Sequence, residues 1–515
     1  MPHKRAEWRT IGPMNAPLPT AAQPPVLDPA AVRARVHERW QRDILPALHR
    51  YIEIPAKSPL FDPDWVTHGH LDTVLRQAAD WAACQPIDGL TLEIVRLQRP
   101  DGTPRTPVLL FEVPARAGAD GAPAPASGQT VLMYGHLDKQ PEFSGWRADL
   151  GPWSPRLIDD RLYGRGGADD GYAVYAALAA VEALQASGRP HPRIVGLIET
   201  GEESGSPDLL PTIDALRARL GDVGLVICLD SGAGNYDQLW LTTSLRGMIS
   251  GVLKVEILTE GVHSGDASGV VPSSFRILRH VLERLEDSAT GRVLPDVFHC
   301  EIPAERIAQA RATAAILGEA VWQRFPWAHH DCAGSSVFAL PTTTDPVQAL
   351  LNRTWRPTLS VTGAEGLPAL RDAGNVLRPY TAFKLSLRLP PLVDAAEAVQ
   401  QLKALLEDNA PYQARVTFEP EGAANGWNAP AAAPWFEQAL HAASRAHFGA
   451  PCGAIGQGGT IPLMNMLSAG FPQAQMMVCG VLGPKSNAHG PNEFLHVPYA
   501  QRLTAAVAEV LARMP

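Results

Sequence analysis

The sequence predicts an α/β protein whose mostly parallel sheet is interrupted by a smaller inserted α+β domain. Three observations carry this. Four short apolar runs, TVLMYGH (130–136), IVGLIET (194–200), GLVICLD (224–230) and QMMVCGV (475–481), contain β-branched residues and end in turn-forming or polar residues, as buried strands do. A long helical segment, DGYAVYAALAAVEALQAS, separates the first run from the second. Strands alternating with helices imply layers around a parallel sheet. The middle of the chain has another rhythm, in which alternating runs pair with amphipathic ones.

The elements follow in order. Residues 1–28 are rich in Pro and Ala and read as a loose arm, with Asp28 a candidate cap for the helical stretch PAAVRARVHERWQRDILPALHRYIEI. ARAGADGAPAPASGQ (115–129) is a Gly/Pro/Ala loop before the first buried run. In the middle region ISGVLKVEIL (249–258), TAFKLSLRLP (381–390) and YQARVTFEP (412–420) read as strands. SSFRILRHVLERLED and AAEAVQQLKALLED (395–408) read as helices between them, giving β-α-β-α-β with a long insertion at about 290–378. VPYAQRLTAAVAEVLARM closes the chain as a helix. The expected division is an arm at 1–28, a first domain made of 29–247 and 421–515, and an inserted domain at 248–420.

Composition narrows the function. The 515 residues are 45% hydrophobic and 19% charged, enough apolar content for a packed core and too much for a disordered chain. A net charge of -9 leaves no excess of cations for nucleic-acid or anionic-membrane binding. No apolar run reaches the ~20 residues of a membrane span, and the first 25 residues lack a secretory apolar stretch. Cys84, Cys228, Cys300, Cys332, Cys452 and Cys479 are widely spaced, with no C-x-x-C. They read as reduced thiols of a cytoplasmic protein, so a metal site here must use His and carboxylates.

In open α/β sheets ligands bind beyond the carboxyl ends of the strands. There the chain carries His136 and Asp138, then Asp169 and Asp170 before the long helix, then Glu199, Glu202 and Glu203, then Asp230, and finally His489. Singly, each has a plain structural explanation as a cap, a turn or a surface loop residue. Together they form a carboxylate cluster that repels itself unless cations hold it. Two His and several carboxylates without Cys suit a two-metal hydrolytic site.

GHLDKQP, LYGRGGADDG, TGEESGS, LDSG and AHGPNE occur in that order. This set resembles the zinc metallopeptidase family of aminoacylase, carboxypeptidase G and carnosinase, and most of all its carnosinase-like dipeptidase branch. The resemblance covers roughly residues 30–515. It implies a di-metal catalytic domain with an inserted lid that also dimerises. It implies that Asp169 bridges two divalent metals, with His136 and Asp230 on one and Glu203 and His489 on the other. Zinc is the expected metal, with manganese or cobalt as alternatives. Glu202 is then the general base, Asp138 orients His136, and the Asp169–Asp170 bond is cis. His263, in GVHSGDASG, would reach the partner subunit's site and stabilise the oxyanion.

The resemblance extends to substrate contacts. Arg388, in FKLSLRLP, resembles the family Arg that clamps a substrate carboxylate. Asn375, Gly459 and Thr460 resemble its polar neighbours. Two features depart from the branch. Gly456-Gln457 stands where Arg-Glu is usual, and EGAANGW (421–427) lacks an expected His. Trp322, Trp327, His329 and His330 in the insertion either reshape the lid or are ordinary core and surface. The expected function is hydrolysis of the amide bond in dipeptides or small peptides with a free C-terminal carboxylate. An N-acyl-amino-acid deacylase or a carboxypeptidase would use the same site, and a catalytically inactive binding protein is the reading from another class. No nucleic-acid or membrane partner is expected.

Overall fold

The protein is described by a computed structural model covering residues 26–332, 335–460 and 462–515, without the side chains of His330, Cys332, Ser335 and Pro462. Most of the expected arm, residues 1–25, and the His330 side chain lie outside the described residues. The principal strands are β1 (Thr91–Val95), β2 (Val108–Val113), β3 (Thr130–His136), β4 (Arg193–Glu199), β5 (Val223–Cys228), β6 (Trp240–Leu245), β7 (Gly247–Glu256), β8 (Thr358–Glu365), β9 (Tyr380–Leu389), β10 (Arg415–Ala424), β11 (Gly453–Gln457) and β12 (Gln475–Val478).

The central sheet has the order β1-β2-β4-β3-β5-β12. Its three pairings from β4 to β12 are parallel, as predicted from the apolar runs. β1 and β2 extend it antiparallel. The sequence reading missed both. β1 is an edge strand with one buried residue in five, so it lacks the apolar run that marks its neighbours. β3 is buried along its whole length, because helices cover both faces of the sheet. On one face lies Ala173–Ala186, a helix of small and aliphatic residues buried on all sides from Ala173 to Gln185. Helices Val497–Leu511 and Pro29–Arg39 pack on it, and Pro434–Phe448 packs on those two. Leu209–Leu220 and Pro462–Gly470 cover the other face.

The long N-terminal helix is continuous but widens at Trp40–Ile44, where Leu45 N–H donates to Trp40 O. Pro46 causes this, since it has no N–H to continue the regular ladder. Asp28 caps its start, accepting from the amides of Ala30 and Ala31.

The second sheet has the order β8-β9-β7-β10, antiparallel throughout. Burial along β7 alternates strictly, because one face packs on helices Ser274–Leu282 and Ala395–Glu407. β10 runs on to Ala424. β8 lies inside the insertion and was missed. It is a wholly part-exposed edge strand with a bulge at Val361/Gly363, so its sequence shows no buried stripe. The insertion also supplies helices Ala304–Leu317 and Pro346–Thr354, which pack on each other and on β11. Among the described cysteines, Cys84, Cys228, Cys300, Cys452 and Cys479 are free. Among the described residues, no helix is long and apolar enough to cross a membrane.

Candidate metal centre and cleft

The carboxyl ends of the parallel strands deliver the chemistry. His136 is the last residue of β3 and lies in register with Glu199, the last of β4. Glu202–Ser204 form a single helical turn just beyond β4, and Asp230 follows β5 by two residues. Asp169 and Asp170 do not cap the long helix. They occupy a turn, Gly167–Gly171, that precedes it, and the bond between them is cis. Gly135 admits this turn, since a Cβ there would sit 2.8 Å from Ala173 Cβ and 2.9 Å from Asp170 Oδ2.

Two groups of potential ligands result, His136 with Asp169 and Asp230, and Asp169 with Glu203 and His489. Within each, the donor atoms lie within 4.8 Å of one another. His136 Nε2 is 3.4 Å from Asp169 Oδ1 and 3.8 Å from Asp230 Oδ2. His489 Nε2 is 3.0 Å from Asp169 Oδ2 and 3.4 Å from Glu203 Oε2. Asp169 thus turns one oxygen to each group. The set fits divalent cations. His136 Nε2 is buried without a hydrogen-bond partner, and three carboxylates converge on two imidazoles, all hard or borderline donors.

Electrostatics reflect the crowding. Burial, then the Asp230 charge, pushes the Glu202 carboxyl well above its ordinary range, and burial with Asp169 does the same to Glu203. Burial raises Asp230 to about 7. Burial alone would also raise Asp169, but the close approach of the His136 and His489 rings outweighs it and holds that carboxyl well below the usual range. Burial opposes charge on His136, but Asp138 and Asp169 overcome it and raise its pKa well above the ordinary value.

Asp138 ties these parts together. Its carboxylate accepts the backbone N–H of Glu202 at 3.2 Å and of Glu203 at 2.9 Å. Its backbone carbonyl lies 3.1 Å from His136 Nδ1, and its Oδ1 lies 3.4 Å from the same nitrogen.

The carboxylates open into a cleft of about 540 Å³, lined among others by Glu202, Asp230, Met248, Gln457, Gly459, Thr460 and His489. Behind Thr460, one of its lining residues, Arg388 Nη1 donates to Thr460 Oγ1 at 2.9 Å, and that hydroxyl donates to Arg246 O at 2.6 Å. Arg388, Gly459 and Thr460 are therefore brought to one place. His263 and Asn375 are brought to another. They sit on a short two-stranded ribbon, where Ser264 N–H donates to Asn375 O at 2.9 Å, and neither lines this cleft.

A model of peptidase family M20/M25/M40 matches residues 132–513. The chain belongs to this family. It is 28% identical to a cysteinylglycine-S-conjugate dipeptidase of Corynebacterium striatum over 385 residues, 74% of this chain and 80% of that one. It is 29% identical to the Beta-Ala-His dipeptidase of Homo sapiens over 320 residues, 60% and 58% of the two chains. Among solved structures it superimposes on human carnosine dipeptidase 1 with a TM-score of 0.71 at 22% identity, covering 95% of this chain and 99% of the other. As a member of this family the protein is an enzyme that hydrolyses peptides.

The sequence reading of this M20 chain missed several supports. Arg165 is fully buried, pairs with Glu493 at 2.6 Å and donates to the carbonyls of His489 and Gly490 at 3.0 and 2.9 Å. Glu493 also accepts Gly166 N–H at 2.9 Å. The pair therefore fastens the His489 loop, which has left-handed backbone at Lys485, Asn487, His489 and Asn492, onto the Asp169 turn. Gln140 donates to Glu203 Oε2 at 2.6 Å. Lys139, also fully buried, caps the Leu45–Ile52 helix through the carbonyls of Tyr51 and Ile54. All four lie inside the quoted motifs. Only Arg165, between Gly164 and Gly166, is framed by glycines, and Lys139, Gln140 and Glu493 carry no such mark.

Proposed function

We propose that the protein is a metal-dependent dipeptidase, cleaving the amide bond of dipeptides or small peptides with a free C-terminal carboxylate. One observation carries the reading. Two ligand groups share Asp169, and the cleft that their carboxylates line is also lined by Gly459 and by Thr460, whose hydroxyl Arg388 contacts. The dipeptidases named above support it. In this reading His136 and Asp230 hold one divalent ion, and Glu203 and His489 the other, with Asp169 between them. Zinc is the proposed metal. Residues 29–247 and 421–515 form the catalytic domain and 248–420 the lid, through which a cytoplasmic homodimer forms.

When bound, the ions polarise the scissile carbonyl and acidify the attacking water. Glu202 accepts that water's proton and delivers it to the leaving amine. Asp138 holds the Glu202–Glu203 turn and His136 in one frame. Arg388, Thr460 and the Gly459 amide receive the terminal carboxylate, and Asn375, which sits beside His263 and away from this cleft, would reach it from a second subunit. His263 of a second subunit donates to the developing oxyanion. The test is amine release by zinc- or manganese-loaded protein from dipeptides, longer peptides and N-acyl amino acids. Cleavage confined to dipeptides supports the reading, and preference for acylated amino acids overturns it.

A further inference from the structure

Behind the Gly458–Thr460 loop that borders the cleft stand three arginines. Arg165, elsewhere in the protein, is buried against Glu493, the usual condition for a buried charge. Arg246 is buried, and Arg353 and Arg388 are half-buried. Yet among the described residues none of them lies within ion-pair distance of a carboxylate. Arg246 Nε donates to Gly458 O at 3.1 Å, and its Nη1 donates to Thr358 Oγ1 at 2.8 Å, so its partners are neutral. Arg353 Nε is buried and has no partner. Burial, and then the neighbouring guanidiniums, push Arg246 down to about 10 and Arg353 down to about 9.

These arginines stand directly behind the substrate loop. A Cβ on Gly458 would lie 3.1 Å from Arg353 O, 3.2 Å from Arg246 Nη2 and 3.2 Å from Arg353 Cγ, so the glycine backbone rests closely against both arginines. Gly456–Thr460 carry no charged side chain, and Gln457 lines the cleft as a neutral group. Of the carboxylates of the cleft, Asp169, Glu203 and Asp230 belong to the ligand groups, and neither they nor Glu202 lie within ion-pair distance of these arginines. A single substrate carboxylate on Arg388 leaves two further positive charges uncompensated, in surroundings that screen them poorly.

We infer that the preferred substrates carry a second carboxylate on their C-terminal residue, as dipeptides ending in aspartate or glutamate do. This rests on the dipeptidase reading and adds to it the substrate class. The side-chain carboxylate of such a peptide lies within a few bonds of the terminal one, and the field of Arg246 and Arg353 acts on it through the glycine loop.

The experiment compares near-isosteric pairs on zinc-loaded enzyme, glycyl-aspartate with glycyl-asparagine and glycyl-glutamate with glycyl-glutamine. The acid is expected to exceed its amide roughly tenfold or more in kcat/KM. Arg353→Met should shrink that ratio and Arg353→Lys should keep most of it. Equal rates within each pair, with glycyl-alanine also cleaved, overturn the inference and leave the dipeptidase reading standing. An unchanged ratio in a folded Arg353→Met protein also overturns it. Calorimetry on Glu202→Gln protein separates the two ideas and needs no second variant to fold. Tighter binding of glycyl-aspartate than of glycyl-asparagine upholds the inference even if turnover is absent, and equal binding or none overturns it.

Discussion

Arg165 and Glu493 are joined at 2.6 Å across 328 positions of sequence, and both side chains are sealed from solvent. The pair binds the turn carrying Asp169 to the loop carrying His489. Glu493→Leu strands a buried guanidinium and should cost about 3–5 kcal/mol of stability by chemical denaturation. The double variant Arg165→Met/Glu493→Leu should recover part of that loss. A single variant within about 1 kcal/mol of wild type would remove the pair from the fold's supports.

Asp138 accepts two consecutive amides with one carboxylate. Asn at this position keeps one acceptor oxygen and turns an NH₂ toward the second donor. Asp138→Asn should therefore fold, shift the Glu202–Glu203 turn, and lose about 10- to 100-fold in activity. Wild-type turnover would show that the turn holds itself.

Glu202 is the proposed base and stands beside both ligand groups without belonging to either. Glu202→Gln should retain two bound ions by elemental analysis and lose about 10²- to 10⁴-fold in kcat. Loss of metal in this variant would make Glu202 a ligand instead.

Much of this was legible in the sequence because buried parallel strands need continuous apolar runs, and the reactive groups sit at their ends. That rule places His136, Asp230 and Glu203 at the strand ends together with Asp138, Glu199 and Glu202, and only the family resemblance singles them out as ligands. The edge strands β1 and β8 were not legible, because a half-exposed edge imposes no apolar pattern. Arg165, Glu493 and Arg246 were missed for a different reason. Their partners lie far off in sequence, and only the fold shows that a charged residue in a glycine-rich segment is buried. The pairing of His263 with the Asn375 segment is likewise a product of topology, joining two segments about a hundred residues apart.

Arg388 meets Thr460 across 72 positions of sequence. If it clamps the terminal carboxylate, Arg388→Ala should raise KM for free dipeptides about 10- to 100-fold, the worth of a charged hydrogen bond. Dipeptide amides should change little. Equal effects on acid and amide would place Arg388 in loop support rather than in binding.

The last expectation concerns stability away from the cleft. His447, on helix Pro434–Phe448, is 4% exposed, and both ring nitrogens lack hydrogen-bond partners. Burial, and then the Arg33 charge, push its pKa down to about 4. In the unfolded chain the same ring titrates near about 6.5. Between these values the unfolded state binds a proton that the folded state refuses. Stability is therefore complete above the unfolded pKa and falls as pH drops toward about 4. At about pH 5 the loss from this ring is roughly 2 kcal/mol. His447→Leu removes the titrating group and keeps an apolar side chain in the same space. Denaturation at about pH 7.5 and about pH 5 should show a gap between the two conditions that is smaller in the variant by roughly that amount. An identical gap in both proteins would mean that the buried ring finds a way to accept its proton in the folded state.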